Sequence, residues 1–210
     1  MFHDRKEAAL LLVTKLRKYK DEDCIVLGIP RGGVPVAYII AKELNLPLDI
    51  VLTRKIGHPM NKEYAIGAAS IDDYFIEDEE EYVTDEYIKE TVKLVQNRLK
   101  EMQVKFKGSS EILDVKDKLV LIVDDGIATG NTIIAAIRLL RKSIPNKIIV
   151  AVPVSSSSAM ERISKEADEV ISILVPYDFH GVGQFYESFE TVSDEEVKNY
   201  LNSSFNNIKQ

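Results

Sequence analysis

The stretch VLIVDDGIATGNT, residues 120–132, is the most informative part of this sequence. Its four apolar residues predict a buried strand, and two adjacent carboxylates, Asp124 and Asp125, follow at the strand end. A turn with two glycines and a threonine then opens a predicted helix. Free N–H groups at a helix start, together with the positive end of the helix dipole, favour a phosphate group there. The alternative is an ordinary strand–helix turn in which the aspartates act only as caps.

The two carboxylates limit what this phosphate site could bind. They would repel a phosphate unless they interact with something else, such as the hydroxyls of a ribose or the hydration shell of Mg²⁺. A phosphate beside a sugar diol describes a ribose 5-phosphate. The stretch is not a Walker loop, because no Gly-Lys-Ser/Thr follows the glycines, and the dinucleotide fingerprint Gly-x-Gly-x-x-Gly is absent.

Strand and helix patterns alternate on both sides of this stretch. Apolar runs predict strands at 24–29, 48–53, 65–71, 118–123, 147–154 and 169–176. Helical patterns cover 4–20, 34–44, 84–108 and 132–143, and two further helices are predicted to begin at 155 and at 193. Residues 54–64 predict a loop, and a hairpin is expected at 76–83. This alternation predicts an α/β fold, a Rossmann-like three-layer domain with a mainly parallel sheet. Ligands of such sheets bind at the carboxyl ends of the strands.

Composition excludes several classes of protein. The formal net charge is −7, but residues 72–90 alone carry −9, so the remaining surface is close to neutral and lacks the basic face of a nucleic-acid binder. Cys24 is the only cysteine, which excludes an intrachain disulfide and a cysteine-based zinc site. The longest apolar runs reach about eight residues, short of the ~20 that span a bilayer. We therefore expect a soluble cytoplasmic protein with no membrane or nucleic-acid partner.

The order of apolar run, acidic pair and Thr-Gly-x-Thr closely resembles the ribose-phosphate signature of type I phosphoribosyltransferases. The resemblance extends to FHDRKEAALLL (2–12), IPRGGVPVA (29–37), TRKIGHPMNKEYAIGAAS (53–70) and VGQFYESFETVSDEEV (182–197). Together with the PRGG and DDGIATGNT motifs, these segments look like a less characterised branch of the family. The resemblance implies a single domain over 1–210, with a core at 22–176, a hood formed by 177–201 and the helix 4–20, and a polar tail at 202–210.

The PRGG motif corresponds to the pyrophosphate loop of the family. Gly32 and Gly33 can present successive N–H groups to an anion, and Arg31 can pair with phosphate oxygens. Family members often hold a non-proline cis peptide in this loop, which the resemblance implies at Arg31–Gly32 or Gly32–Gly33. A plain glycine turn before a helix is the alternative.

Residues 54–67 resemble the loop that closes over the substrate in this family. Arg54 and Lys55 could neutralise the charge that develops on a leaving pyrophosphate. Residues 56–64 have little apolar anchoring, so we expect them to be mobile without a ligand. The alternative is a pair of solvated basic residues beside a loop.

The resemblance implies a set of functional residues. Asp124, Asp125 and Lys55 would be catalytic, and the two aspartates would also meet Mg²⁺ through water and substrate. Tyr177 and Phe179 of the hood would meet the acceptor. The implied binding residues for 5-phosphoribosyl 1-diphosphate, the donor, are Arg31, Gly32, Gly33, Arg54, Lys55, Asp124, Asp125, Gly126, Ala128, Thr129, Gly130, Asn131 and Thr132.

The expected function is the transfer of ribose 5-phosphate from this donor, with Mg²⁺, to a nitrogen acceptor such as a nucleobase, by a homodimer. Purine-salvage members of the family have an aspartate that contacts the base where this chain has Ala128, which argues against a hypoxanthine–guanine acceptor. One alternative is a regulator that keeps the ligand site without turnover. Another is a phosphatase or hydrolase, but neither a Gly-x-Ser-x-Gly elbow nor a histidine metal cluster supports it.

Overall fold

The structure, a computed structural model, describes residues 1–77, 83–108 and 113–207 of the 210 residues. The strands in chain order are β1 (Cys24–Gly28), β2 (Leu48–Ile50), β3 (Arg54–Gly57), β4 (Ala65–Ala69), β5 (Tyr74–Ile76), β6 (Leu119–Val123), β7 (Lys147–Val154) and β8 (Glu169–Leu174). The helices are α1 (Arg5–Leu16), α2 (Gly33–Leu44), α3 (Asp85–Lys107), α4 (Asn131–Arg141), α5 (Ser157–Ile163) and α6 (Asp194–Asn207). Short 3₁₀ turns lie at Arg17–Tyr19 and Val182–Phe185.

Five parallel strands form the central sheet in the order β2-β1-β6-β7-β8. Alternate residues of β1 face opposite layers: Cys24 and Val26 pack with α1, α2, α3 and α6, whereas Ile25 and Leu27 pack with α4 and α5. The sheet is therefore buried on both faces, as parallel sheets usually are. The predicted three-layer α/β fold with a mainly parallel sheet is confirmed.

Local capping explains where several helices begin and end. The side chain of Asp4 accepts a hydrogen bond from the N–H of Glu7 at 2.8 Å, and that of Thr84 accepts one from Tyr87 at 3.2 Å. Gly108 ends α3 with a φ of 71°, a conformation that glycine adopts at little cost. These ends agree with the predicted ones.

A second sheet corrects two sequence predictions. Strands β3, β4 and β5 pair antiparallel in a separate three-stranded sheet, so 65–71 is not a strand of the central sheet and 54–57 is not a loop. Periodicity missed β3 because its four residues are too few to show alternation and begin with two exposed basic side chains. The chain reverses between β4 and β5 at residues 70–73; the hairpin predicted at 76–83 falls largely on 78–82, outside the described residues.

The C-terminal prediction is also wrong in part. Residues 202–207 continue α6 instead of forming a polar tail, because α6 packs on α2 and α3 and buries Leu201 and Ser204. Cys24 is buried in β1, and burial raises the pKa of its thiol to about 12. Within the described ranges, no helix combines the length and the apolarity needed to cross a membrane.

Candidate active site

The acidic pair lies at the carboxyl end of β6, in the middle of the central sheet. Oδ1 of Asp124 accepts a hydrogen bond from the N–H of Asp125 at 2.8 Å. Oδ2 of Asp125 accepts from Nε of Arg5 at 2.9 Å and lies 2.8 Å from its Nη2. The hydroxyl of Tyr186 donates to the backbone carbonyl of Asp125 at 2.6 Å. The position of Asp125 is therefore determined by residues from both ends of the chain.

One oxygen of each carboxylate receives no hydrogen bond in the part of the chain that the structure describes. Within the described part of the chain, no N–H or O–H group donates to Oδ2 of Asp124 or to Oδ1 of Asp125. Neither of these oxygens is completely buried, since the described residues leave no fully buried polar side-chain atom without a partner. Each of these two acceptor oxygens therefore keeps some exposure to solvent and has capacity for a hydrogen bond from a ligand hydroxyl.

The two carboxylates also influence each other. Burial and the adjacent negative charge of Asp125 raise the pKa of Asp124 well above its ordinary value, while Arg5 acts in the opposite direction. Burial and the charge of Asp125 likewise raise the pKa of Tyr186. The raised pKa of Asp124 favours its protonated form relative to a free aspartate, which would lessen the repulsion of a phosphate nearby.

The PRGG loop packs directly against the acidic pair. A Cβ added at Gly32 would lie 2.0 Å from Oδ2 of Asp125, and one added at Gly33 would lie 2.6 Å from the carbonyl oxygen of Val123. Both positions therefore need glycine for close approach rather than for unusual dihedral angles. The cis peptide bond of the loop joins Pro30 and Arg31, so both positions predicted for it were wrong.

The turn between β6 and α4 presents a row of N–H groups. Among the described residues, nothing accepts a hydrogen bond from the backbone N–H groups of residues 128–132. Two carbonyls of the same turn do have partners from the α5 region: Ser156 Oγ donates to Ala128 at 2.7 Å, and Arg162 Nη1 donates to Thr129 at 2.7 Å. These two carbonyls already accept hydrogen bonds, whereas the N–H groups of the turn can still donate to a ligand. The turn can therefore act as a cradle for an anion.

Seven of the predicted site residues line two cavities at this edge of the sheet, whereas Asp124 and residues 128–130 line neither of them. One, of about 560 Å³, brings Arg54 and Lys55 together with Asn131, Thr132 and Arg162. The other, of about 420 Å³, brings Arg31, Gly32 and Asp125 together with Arg5 and the hood. The cations expected to share the pyrophosphate thus fall into two groups. Arg54 and Lys55 accompany the start of α4, whereas Arg31 accompanies the acidic pair.

The hairpin that carries Lys55 is better anchored than its sequence suggests. Ile56 is fully buried in the core, contrary to the expectation of little apolar anchoring across 56–64. The turn is closed by a hydrogen bond from the N–H of His58 to the carbonyl of Tyr64 at 2.8 Å. Nζ of Lys55 lies 2.8 Å from a carboxylate oxygen of Glu63. Movement, if the hairpin closes over a ligand, is therefore expected in 58–64 and not in β3.

The two expected acceptor residues do not reach the acidic pair. The side chain of Tyr177 is fully exposed, and Phe179 stacks on Phe185 with ring centroids 5.5 Å apart. Neither lines the cavity beside Asp125, whose aromatic lining residue is Phe189. Sequence reasoning missed Arg5, Phe189 and Arg162 as site residues. Arg5 lies 120 positions from Asp125, so no local spacing could have signalled the contact.

The accessible carboxylate oxygens are hard ligands of the kind Mg²⁺ prefers. Across 1–77, 83–108 and 113–207, no group of three or more acidic, histidine or cysteine side chains could hold a metal ion by itself. The residues therefore fit a Mg²⁺ ion that takes one or two protein ligands, with the others from water and substrate.

The anion cradle, the glycine loop and the acidic pair thus lie together at one edge of a parallel α/β sheet. Residues 5–189 match the family described as the phosphoribosyl transferase domain, and the chain belongs to this family. The sequence-based recognition of this family is confirmed.

Three relatives illustrate the similarity. A protein of Mycobacterium tuberculosis described as a putative phosphoribosyl transferase is 35% identical over 211 residues, which cover 96% of this chain and 46% of the relative. This chain therefore spans about half the length of that relative. The crystal structure of TT1426 from Thermus thermophilus superposes with a TM-score of 0.86 at 35% identity, covering 97% of this chain and 98% of that one. The ribose-phosphate pyrophosphokinase of Pyrococcus furiosus is 50% identical over 60 residues, 28% of this chain and 22% of its own length.

Proposed function

We propose that this protein is a phosphoribosyltransferase that uses 5-phosphoribosyl 1-diphosphate and Mg²⁺ to transfer ribose 5-phosphate to a nitrogen acceptor, with release of pyrophosphate. The observation that carries the proposal lies in residues 124–132: two carboxylate oxygens receive no donor from the described residues, and a row of N–H groups finds no acceptor among them. A ribose 5-phosphate offers hydroxyl donors to the carboxylate oxygens and phosphate oxygen acceptors to the N–H groups. The names of the relatives, which include phosphoribosyl transfer and ribose phosphate, agree with this ligand.

Each part of the donor has a matching part of the site. The 5-phosphate would accept hydrogen bonds from the N–H groups of 128–132 and from the hydroxyls of Thr129 and Thr132. The ribose diol would donate to Asp124 and Asp125. Arg31 and the N–H groups of Gly32 and Gly33 would bind the pyrophosphate.

The reaction replaces one bond at C1 of the ribose. The C–O bond to pyrophosphate breaks with its electron pair leaving on the oxygen, and a C–N bond to the acceptor forms with inversion. The acceptor nitrogen gives its proton to water. The transition state resembles an oxocarbenium ion, so the protein acts by positioning and by charge stabilisation. Asp124 and Asp125 hold the ring, and Arg54 and Lys55 offset the charge on the departing pyrophosphate. Bound Mg²⁺ would supply further positive charge at the pyrophosphate oxygens.

The acceptor is an aromatic nitrogen heterocycle such as a nucleobase in this proposal. The cavity beside Asp125 supports it, because its lining includes the apolar side chains Val182, Phe189 and Val192. The homodimer, the cytoplasmic location and the absence of a nucleic-acid partner stay predictions.

The test is pyrophosphate release from the donor and Mg²⁺ in the presence of a panel of nucleobases and related heterocycles. Release that depends on one acceptor supports the proposal. Binding of the donor without pyrophosphate release for any acceptor would instead favour a regulator with the same fold. This second candidate stays open because Ala128 stands where purine-salvage members have an aspartate that contacts the base. The absence of donor binding in calorimetry would contradict both. For aspartate-to-asparagine variants of Asp124 and Asp125, the matched control is Asp21→Asn. Asp21 is an exposed carboxylate for which the structure gives no hydrogen bond or ion pair.

A further inference from the structure

Two segments contribute to the reaction as proposed only by lining the acceptor cavity: FHDRKEAALLL at 2–12 and VGQFYESFETVSDEEV at 182–197. They are joined to each other in the structure. The N–H of Phe2 donates to the carbonyl of Phe185 at 2.7 Å, and the N–H of Glu187 donates to the carbonyl of Phe2 at 2.9 Å. The rings of Phe2 and Tyr186 lie 5.3 Å apart. We call residues 2–5 and 185–190 the clasp.

Arg5 extends from the clasp to the acidic pair and is held on several sides. Its Nε and Nη2 both meet Oδ2 of Asp125, at 2.9 Å and 2.8 Å. Its Nη1 donates to the carbonyl of Glu190 at 2.7 Å, and its guanidinium carbon lies 4.0 Å from the centre of the Phe189 ring. The side chains of Arg5 and Asp125 are each only 13% exposed, so water screens this ion pair weakly.

These contacts determine which oxygen of Asp125 remains available. Both bonds from Arg5 go to Oδ2, the oxygen closest to Gly32. The hydroxyl of Tyr186 holds the backbone carbonyl of the same aspartate. Oδ1 receives no donor from the described residues, and Asp125 lines the cavity of about 420 Å³. The clasp thus fixes the carboxylate at one oxygen and leaves the other for a ligand.

We propose that Arg5 is a positioning residue for phosphoribosyl transfer: it holds Asp125 so that Oδ1 meets the ribose hydroxyl of the donor. This rests on the proposed function. A preorganised acceptor contributes more than one that must be ordered when the substrate binds, because no reorganisation is needed at that moment. The fixed cation also offsets the negative charge that two carboxylates would otherwise present to an anionic donor.

Arginine is required here for geometric reasons. The guanidinium contacts Asp125, the Glu190 carbonyl and the Phe189 ring at once, through its planar fork and its face. A lysine ammonium is a point charge on a flexible stem and cannot reproduce this set of contacts. Charge alone would be retained in Arg5→Lys, whereas orientation would not.

The test compares Arg5→Gln and Arg5→Lys with Lys6→Gln, the adjacent exposed residue of α1, for which the structure gives no partner. Arg5→Gln and Lys6→Gln remove the same charge, but only one of them contacts Asp125. Calorimetry is run with two probes, ribose 5-phosphate and inorganic pyrophosphate, in the presence of Mg²⁺. Arg5→Gln should weaken the binding of ribose 5-phosphate about tenfold or more, as expected when a charge-assisted contact is lost. Pyrophosphate, which has no ribose, should bind within about twofold of the wild type, and Lys6→Gln should change neither.

The conservative variant and kinetics separate positioning from general destabilisation. Arg5→Lys should show the same selective loss of ribose 5-phosphate affinity in a folded protein, and it replaces Arg5→Gln if that variant does not fold. With a working acceptor, both variants should lower kcat as well as raise the donor KM. Equal loss of both probes would mean that Arg5 only supports the fold, and unchanged ribose 5-phosphate affinity would mean that it does not position Asp125. If the wild type binds neither the donor nor ribose 5-phosphate, the proposed function fails first and the role of Arg5 fails with it.

Discussion

Replacing Gly32 by alanine tests the contact between the glycine loop and the acidic pair. Gly32 has φ −63° and ψ −32°, values that alanine adopts readily, so any cost must come from the new methyl group. Its Cβ would lie 2.0 Å from Oδ2 of Asp125 and 2.6 Å from Cγ, whereas ordinary contacts begin near 3.4 Å. The carboxylate would therefore have to move by about 1.4 Å, which is enough to break the 2.8–2.9 Å contacts with Arg5.

The expected cost in unfolding free energy is about 1–3 kcal/mol, as for other overpacked sites. In a chain of this size, each kcal/mol lowers Tm by roughly 2–4 °C. Thermal unfolding without ligand measures this directly, independently of any activity. The matched control is Gly181→Ala, because a Cβ at Gly181 meets nothing within 4 Å and its backbone is extended. Calorimetry should also show donor binding weakened about tenfold or more in Gly32→Ala, since Asp125 is displaced.

A double-mutant cycle identifies the clash with Asp125 as the cause. In an Asp125→Ala background the carboxylate is gone, so Gly32→Ala should cost less than about 0.5 kcal/mol there. The reasoning is refuted if Gly32→Ala melts at the same temperature as Gly181→Ala, or if its cost is the same with and without the Asp125 side chain.

Three further predictions concern charged groups. Asp124→Asn combined with Asp125→Asn should weaken donor binding by at least ~1.5 kcal/mol per lost charge-assisted bond, and unchanged affinity in isothermal titration would contradict their role with the ribose. Lys55→Ala should lower kcat more than donor affinity, because the contact of Lys55 with the departing pyrophosphate is strongest in the transition state. Steady-state kinetics would measure this, together with hydrogen exchange across 58–64 with and without donor. Full turnover in the variant, with hydrogen exchange that the donor does not change, would exclude the role of the loop. Two lysines and a tyrosine lower the pKa of Glu169 to about 2, so its contribution to stability is present above pH ~4.5 and is lost as the pH falls towards 2. Unfolding between pH 6 and pH 2 should therefore show a smaller loss of stability in Glu169→Gln than in the wild type, and parallel curves would contradict this.

Local sequence determined the parts of this protein that depend on neighbouring residues. The buried strand, acidic pair, glycine turn and helix at 119–141 are all encoded within a few turns of chain, and the structure places them as expected. The same holds for the caps at Asp4, Thr84 and Gly108, because a cap involves residues only three or four positions apart. Alternation of strands and helices was enough to predict the three-layer fold and the edge of the sheet that carries the site.

Tertiary packing decided the features that depend on distant residues. Residues 202–207 are helical because α2 and α3 cover Leu201 and Ser204, and their polar composition could not show this. The strand β3 exists because β4 pairs with it, although its own four residues carry no strand pattern. The ion pair of Arg5 and Asp125 joins positions 120 residues apart through a clasp between the two ends of the domain. The sequence supplied both partners, but only the folded chain, by removing them from water beside each other, makes their interaction specific.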